Sequence, residues 1–229
     1  MLNIDRENIL NSVTKEDHQQ FERVRQLQIP LSEIINQIKP NIKKREYGLL
    51  VSDDRGGRIP TLILGRTINK FYAQTGQDSI PSVFVQGSRN YLHLPDMLEE
   101  FESRQHILDS LKEPKRALLV TEHIGLGTTL RQFGTMFHSL NLPFDVASLE
   151  SSVSQSSYQN EEVLPLSSYL FTGDSKLGVN FIDFPYTGLV EEKYTNQKFV
   201  EDPVLRQNSR LALYVAKEVS ENLLEELTS

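Results

Sequence analysis

The chain of 229 residues contains no cysteine. Disulfides, thiolate nucleophiles and cysteine-ligated zinc are therefore excluded, and the absence fits a reducing compartment. No apolar run approaches the roughly 20 residues that a membrane span needs. The opening stretch MLNIDRENIL lacks a basic region followed by a long apolar one, so no signal peptide is read there. Basic residues are also in deficit, 24 Lys and Arg against 31 Asp and Glu, for a net charge of −7. Such a field repels polyanions and argues against a nucleic-acid partner, while leaving room for a local basic pocket that takes one small anion. The expectation is a soluble cytoplasmic protein with no membrane and no nucleic-acid partner. What is present, 38% hydrophobic and 24% charged residues, is enough for one sizeable core with a smaller appended subdomain.

Residues 1–45 read as helical. Thr14 with Asp17 resembles a capping box before Phe21, Val24 and Leu27. Leu31, Ile34, Ile35 and Ile38 then define one helical face that ends before Pro40. At YGLLVSD (47–53) the pattern becomes a short apolar run, as in a buried strand. DRGGRIP follows as a turn, TLILGRTINKFYAQTG as a helix, and SVFVQG as a second strand. The polar stretch 88–113 contains a helix in PDMLEEFESRQHILDSL, whose acidic run is a solvated face. RALLVTE is the third strand, LRQFGTMFHSL a helix, FDVASLE the fourth strand and SSYLFTG the fifth, with the serine-rich SSVSQSSYQNEE as a loop. Asp202 and Pro203 form a helix start, and Leu211, Val215, Val219, Leu223 and Leu227 lie along one drifting face of a terminal amphipathic helix. Strands alternating with helices predict an α/β fold, an open, mostly parallel sheet flanked by helices. Its core spans 46–175, between an N-terminal helical segment, 1–45, and a C-terminal segment, 176–229.

In such a sheet, ligands sit beyond the carboxyl ends of the strands, and two glycine loops occupy that place. The first is SDDRGGRIP, 52–60. Gly56 and Gly57 permit close backbone approach, and Arg55 and Arg58 are cationic donors suited to a phosphate or diphosphate. A tight strand-to-helix turn with solvated arginines has the same sequence. The second lies in ALLVTEHIGLGTTLRQF, 117–133. Here the backbone N–H groups of Gly125, Leu126, Gly127, Thr128 and Thr129 open a helix, where the dipole favours an anion. Thr128 and Thr129 add hydroxyls that serve as donors or as a helix cap. Glu122 faces ribose hydroxyls, a metal-bound water or solvent. Neither loop matches a Walker A or GxGxxG pattern, and the nucleophile elbow of a hydrolase is missing.

Taken in order, these two motifs resemble the type I phosphoribosyltransferases. Their motif for 5-phosphoribosyl diphosphate (PRPP) is a hydrophobic strand, two acids and a Thr/Gly-rich loop entering a helix. Their first loop carries an Arg-Gly-Gly type sequence that contacts pyrophosphate. The likeness covers roughly 45–172, and the family builds its variable hood from segments such as 176–229 here. It implies that PRPP lies across both loops with Mg²⁺ held by its own oxygens. Arg55, Gly56 and Gly57 would hold the diphosphate with Arg58 nearby, residues 125–129 the 5′-phosphate, and Glu122, the catalytic candidate, the ribose hydroxyls. Arg89 lies where the family has a flexible loop that closes over the site, and reads either as a pyrophosphate contact or as a solvated loop arginine. The implied reaction displaces pyrophosphate from the sugar C1 by a ring nitrogen of a nucleobase-like acceptor, within nucleotide metabolism. Members of this family often dimerise, so the resemblance implies a homodimer.

Three positions depart from the pattern. Thr121 replaces the first acid, Gly125 stands where many members have Asp or Thr, and Leu126 replaces a Thr or Ser. At about 1.5–3 kcal/mol per hydrogen bond to a charged group, three uncompensated losses total roughly 4–9 kcal/mol. That sum sets a catalytic phosphoribosyltransferase against a second expectation, a non-catalytic PRPP- or nucleotide-binding regulator of the same fold. His123 reads as a cation beside the anion site, as a group orienting Glu122, or as a neutral packed histidine. Phe181, Phe184 and Tyr186 read as stackers on an acceptor base or as core.

Overall fold

The computed structural model describes residues 22, 24–53, 57–85, 115–124, 128–152, 169–173 and 203–229. Its elements in chain order are α1 (Gln28–Lys43), β1 (Tyr47–Asp53), α2 (Arg58–Gln74), β2 (Ser82–Val85), β3 (Arg116–Ile124), α3 (Thr128–Ser139), β4 (Phe144–Ser151), β5 (Leu170–Thr172) and α4 (Pro203–Thr228). The helix expected in 88–113 and the aromatic residues Phe181, Phe184 and Tyr186 lie outside the described residues.

The five strands form one sheet in the order β2-β1-β3-β4-β5, and every neighbouring pair is parallel. From β1 the chain moves one way along the sheet through α2, and from β3 it moves the other way through α3. A constant crossover hand puts those two helices on opposite faces. The core divides accordingly. On one face Leu50, Leu118, Val120, Ala147 and Leu149 pack with α1, α2 and α4. On the other, Leu49, Val51, Val83, Val85, Ala117, Leu119 and Val146 pack with Leu130, Phe133, Met136 and Phe137 of α3. The one-residue alternation between these two sets is the strand period, buried on both sides.

α1 lies against β4 and β5, α2 against β1, β2 and β3, and α4 packs against both helices. The drifting face read in the terminal helix is the packed one: Val215, Val219, Leu223 and Leu227 are buried, and Pro203 is its first residue. One boundary differs from expectation. α1 does not stop before Pro40 but runs through it to Lys43. Near a helix end proline forfeits a single backbone bond, and the extra turn carries Ile42 into the core, fully buried.

β5 ends against α1 at Gly173, whose N–H donates to the Ser148 carbonyl at 3.0 Å. A Cβ at this position would sit 2.4 Å from Pro30 Cβ and 2.7 Å from Pro30 Cα and its carbonyl oxygen. Two of those atoms are backbone, so the helix or the strand must shift. Gly173→Ala is expected to lower the unfolding free energy by about 1–3 kcal/mol, measured by urea denaturation. An unchanged midpoint would show that α1 yields freely at Pro30.

Candidate functional site

β1 and β3 are adjacent, so the loops that follow them leave the sheet side by side where the winding reverses. In doubly wound sheets this is the place where ligands bind. Register sets the details. Ser52 pairs with Val120, and β1 ends at Asp53 while β3 continues to Ile124. The sequence had suggested a strand ending at Glu122. Instead, β3 keeps its pairing with β4, His123 with Glu150 and Ile124 with Ser151, and Ser152 N–H donates to the Ile124 carbonyl at 2.9 Å. Ile124 is buried at the end of this extension. The carboxyl edge is therefore uneven, with β3 and β4 projecting about 10 Å past the end of β1.

This extension decides the setting of Glu122. Leu118 and Val120 face the α2 side, so Glu122, two residues on, faces it as well. Its side chain is 6% exposed and is engaged in an interaction within the protein. Ser52, two residues beyond Leu50 on β1, lies on the same face and is fully buried. Thr121 and His123 alternate to the α3 side. His123 Nδ1 lies 3.8 Å from Glu150 Oε2, both partly exposed, so the partner of His123 is Glu150 across the strand pair, and Glu122 stands on the opposite face.

α2 begins at Arg58, with Gly57 as its N-cap at φ −81° and ψ −9°. That is helical backbone open to any residue, so the left-handed freedom of glycine is not used at Gly57. Its first turn has no acidic residue and no side-chain cap, which leaves the positive end of the helix dipole at the carboxyl edge. The Arg58 guanidinium lies over the Phe84 ring, 5.0 Å from its centroid, a cation–π contact that anchors it at the β2 side of the edge. α3 begins at Thr128, again with no acid in its first turn, and Thr129 is exposed there. Arg55, Gly56, Arg89, Gly125, Leu126 and Gly127 lie outside the described residues.

A second polar centre, not anticipated from the sequence, occupies the opposite edge. Fully buried Asp145 accepts from Arg116 Nε at 2.9 Å and Nη2 at 2.5 Å. It also accepts from Tyr47 Oη at 3.1 Å and from the Tyr169 N–H at 2.9 Å. Asn41 Nδ2 donates to Tyr47 Oη at 3.2 Å. Tyr47 and Arg116 open β1 and β3, Asp145 is the second residue of β4, Tyr169 precedes β5, and Asn41 reaches in from α1. Charged residues opening otherwise apolar strands, Arg116 and Asp145, were the signal. Burial, with support from the field of Asp145, pushes the Tyr47 hydroxyl above the usual tyrosine range. At the amino edge, away from both loops, this cluster fastens the strands together.

Among the described residues no group of three His, Asp or Glu side chains is placed to hold a metal, and no helix is long and apolar enough to cross a membrane. No family model, curated protein or solved structure matches the chain.

Proposed function

We propose that the protein binds PRPP across the carboxyl edge of β1 and β3 and transfers its phosphoribosyl group to a nitrogen heterocycle with release of pyrophosphate. The observation that supports this most directly is the adjacency of β1 and β3. Two loops separated by more than sixty residues, one with the Arg-Gly-Gly sequence and one Gly/Thr-rich, leave neighbouring strand ends. One extended doubly phosphorylated ligand spans such a pair. Arg55, Gly56, Gly57 and Arg58 would face the diphosphate, with Arg89 as a further contact. The amides of 125–129 would face the 5′-phosphate and Glu122 the ribose. Holding both ends of the sugar and neutralising the leaving group lower the barrier to an oxocarbenium-like transition state.

Mg²⁺ fits this donor set. It keeps phosphate oxygens and waters as ligands and needs no all-protein cage, and the described carboxylates offer no such cage. When bound with PRPP it would neutralise diphosphate charge.

A specific observation favours the second reading, a non-catalytic PRPP- or nucleotide-binding regulator. Glu122 lies inside an extended strand pair and is engaged within the protein, and Thr121 places no second carboxylate beside it. Millimolar PRPP with Mg²⁺ is expected to raise the melting temperature by several degrees, since a ligand at 100 times its Kd adds about 2.7 kcal/mol. Arg55→Ala should abolish the gain. No shift with the wild-type chain would remove both readings. Pyrophosphate release across a panel of nucleobases then separates them: release with one base identifies the enzyme, and binding with no turnover identifies the regulator.

A further inference from the structure

α1 and α2 both end at the amino edge, and they end in the same kind of turn. After α1, the Arg45 N–H donates to the Ile42 carbonyl at 2.9 Å and the Glu46 N–H to Asn41 at 3.0 Å. After α2, Gly76 donates to Ala73 at 3.2 Å and Gln77 to Tyr72 at 2.7 Å. Such a turn needs left-handed backbone at its first residue past the cap, the usual place of glycine. α2 has Gly76 there, at φ 68°, but α1 has Arg45, at φ 60°. A side chain is sterically disfavoured in that conformation, so the turn alone supplies no reason for an arginine.

The surroundings of its side chain supply one. The Arg45 guanidinium lies over the Tyr72 ring, 5.7 Å from the centroid, and its charge acts on the phenol. Contact with a ring face leaves the N–H donors of a guanidinium unused. Arg45 Nε is buried without a hydrogen-bond partner, and so are the Tyr72 hydroxyl and Gln77 Oε1. Among the described residues five side-chain polar atoms are in that state, and three of them belong to this corner. Tyr72 as a whole is 1% exposed. The bond to Tyr72 folds Gln77 back under the helix end. In the β1–β2 register, where Leu50 pairs with Ser82, Gln77 also falls about level with Arg45. Asn69 fixes that approach by holding Ile80 at its carbonyl and its N–H, at 3.0 and 2.7 Å. Among the described residues no carboxylate pairs with Arg45, and Glu46 beside it faces Lys44 at 3.9 Å.

From this concentration we infer that Arg45, Tyr72 and Gln77 form a second binding site, which takes a small oxyanion that also carries a hydroxyl, of the hydrogen phosphate type. An anionic oxygen of the ligand accepts from Arg45 Nε and from the Tyr72 hydroxyl, and the ligand's own hydroxyl donates to Gln77 Oε1. The anion supplies the counter-charge that a half-buried guanidinium requires, and exposed Lys43 and Lys44 add to the positive field. The site is at the opposite edge from the two glycine loops and does not rest on the PRPP reading.

Inorganic phosphate, which keeps at least one hydroxyl at pH 7, is the probe, and sulfate, which keeps none, is the control. Titration calorimetry and thermal melting on wild type, Arg45→Gly, Tyr72→Phe and Arg55→Ala test the site. Phosphate at ten times its Kd should raise the wild-type melting temperature by about 3–6 °C, and sulfate should bind about tenfold more weakly. Arg45→Gly installs the residue that the turn favours, and Tyr72→Phe removes an unpaired buried hydroxyl. Both should therefore melt at or above wild type without ligand, which separates lost binding from lost folding. Each should weaken the site by about tenfold or more, and Arg55→Ala should keep it. Failure of wild type to bind phosphate overturns the assignment. So does phosphate binding that is unchanged in Arg45→Gly and Tyr72→Phe, and if Arg55→Ala then abolishes it, the anion belongs to the carboxyl edge. Equal affinity for sulfate overturns the hydroxyl-bearing ligand and the part given to Gln77.

Discussion

Asp145→Ala is expected to cost about 3–5 kcal/mol of unfolding free energy, a large share of the roughly 5–15 kcal/mol that holds a domain together. The reason lies in what the alanine leaves behind. Asp145 is fully buried and accepts from Arg116 twice, from Tyr47 and from the Tyr169 N–H. Its removal takes the carboxylate from Arg116, whose side chain is only 20% exposed and keeps the Phe144 carbonyl, and takes the acceptor from a buried phenol and from the amide just before β5. Each such group has lost its water on folding, and the penalty of an unmatched buried donor exceeds the net worth of the bond it made.

The same reasoning fixes the controls. Asp145→Asn keeps the shape and one acceptor oxygen but turns an amide donor towards Arg116, so its cost should be intermediate. Arg116→Ala combined with Asp145→Ala should cost clearly less than the sum of the single changes, because the second removes the charge that the first leaves stranded. Urea denaturation at pH 7 reads all four proteins. A loss below 1 kcal/mol for Asp145→Ala would mean that water reaches the amino edge and that the cluster is incidental. Because the cluster is at the opposite edge from the two loops, the folded fraction of each variant should give the same result as wild type in the test of the proposed PRPP binding. That separates these variants from Arg55→Ala.

This cluster also marks where the sequence stopped being legible. The runs YGLLVSD, SVFVQG, RALLVTE, FDVASLE and SSYLFTG declared the strands because a sheet buried on both faces demands apolar segments, and each overlaps one of the five strands. Nothing local in the sequence says that Tyr47 meets a carboxylate 98 residues later. Only the strand order brings the two together. The reach of β3 past Glu122 was hidden for a similar reason, since His123 and Ile124 look like the start of a glycine loop until their pairing with β4 is known. Pro40 misled in the other direction. A proline close to a helix end costs one bond, and the burial of Ile42 outweighs it.

At the candidate site the legible part was the placement of the loops. A hydrophobic strand followed by a glycine-containing turn and a helix predicts a carboxyl-edge loop whatever its ligand, and the sheet order makes the two loops neighbours. The side-chain settings were not legible. Which face Glu122 takes and the engagement of His123 with Glu150 depend on alternation, register and rotamer. Those follow from tertiary packing.

Stability should also fall steeply above pH 10, by on the order of 5 kcal/mol between pH 10 and 12. Two buried tyrosines set this limb. Burial pushes Tyr72 up to about 12, against a lowering by nearby Arg45, and pushes Tyr47 higher still, with Asp145 adding to the effect. In the unfolded chain a tyrosine ionises near pH 10. Above that pH the unfolded chain has released both protons and the folded chain still holds them, so rising pH favours unfolding. Below pH 10 both states are protonated and the contribution is constant. Each tyrosine takes about 1.4 kcal/mol per pH unit inside its window, which closes near pH 12 for Tyr72 and extends further for Tyr47. Tyr72→Phe should flatten part of the limb and leave stability at pH 8 equal or higher, because the Tyr72 hydroxyl has no hydrogen-bond partner. Tyr47→Phe should flatten the rest but cost about 1–2 kcal/mol at pH 8, since its bond to Asp145 is lost. Lysine titration affects all variants alike, so the difference in slope from wild type isolates the tyrosines. If the double phenylalanine variant keeps the wild-type slope from pH 10 to 12, neither phenol is shielded as the packing requires.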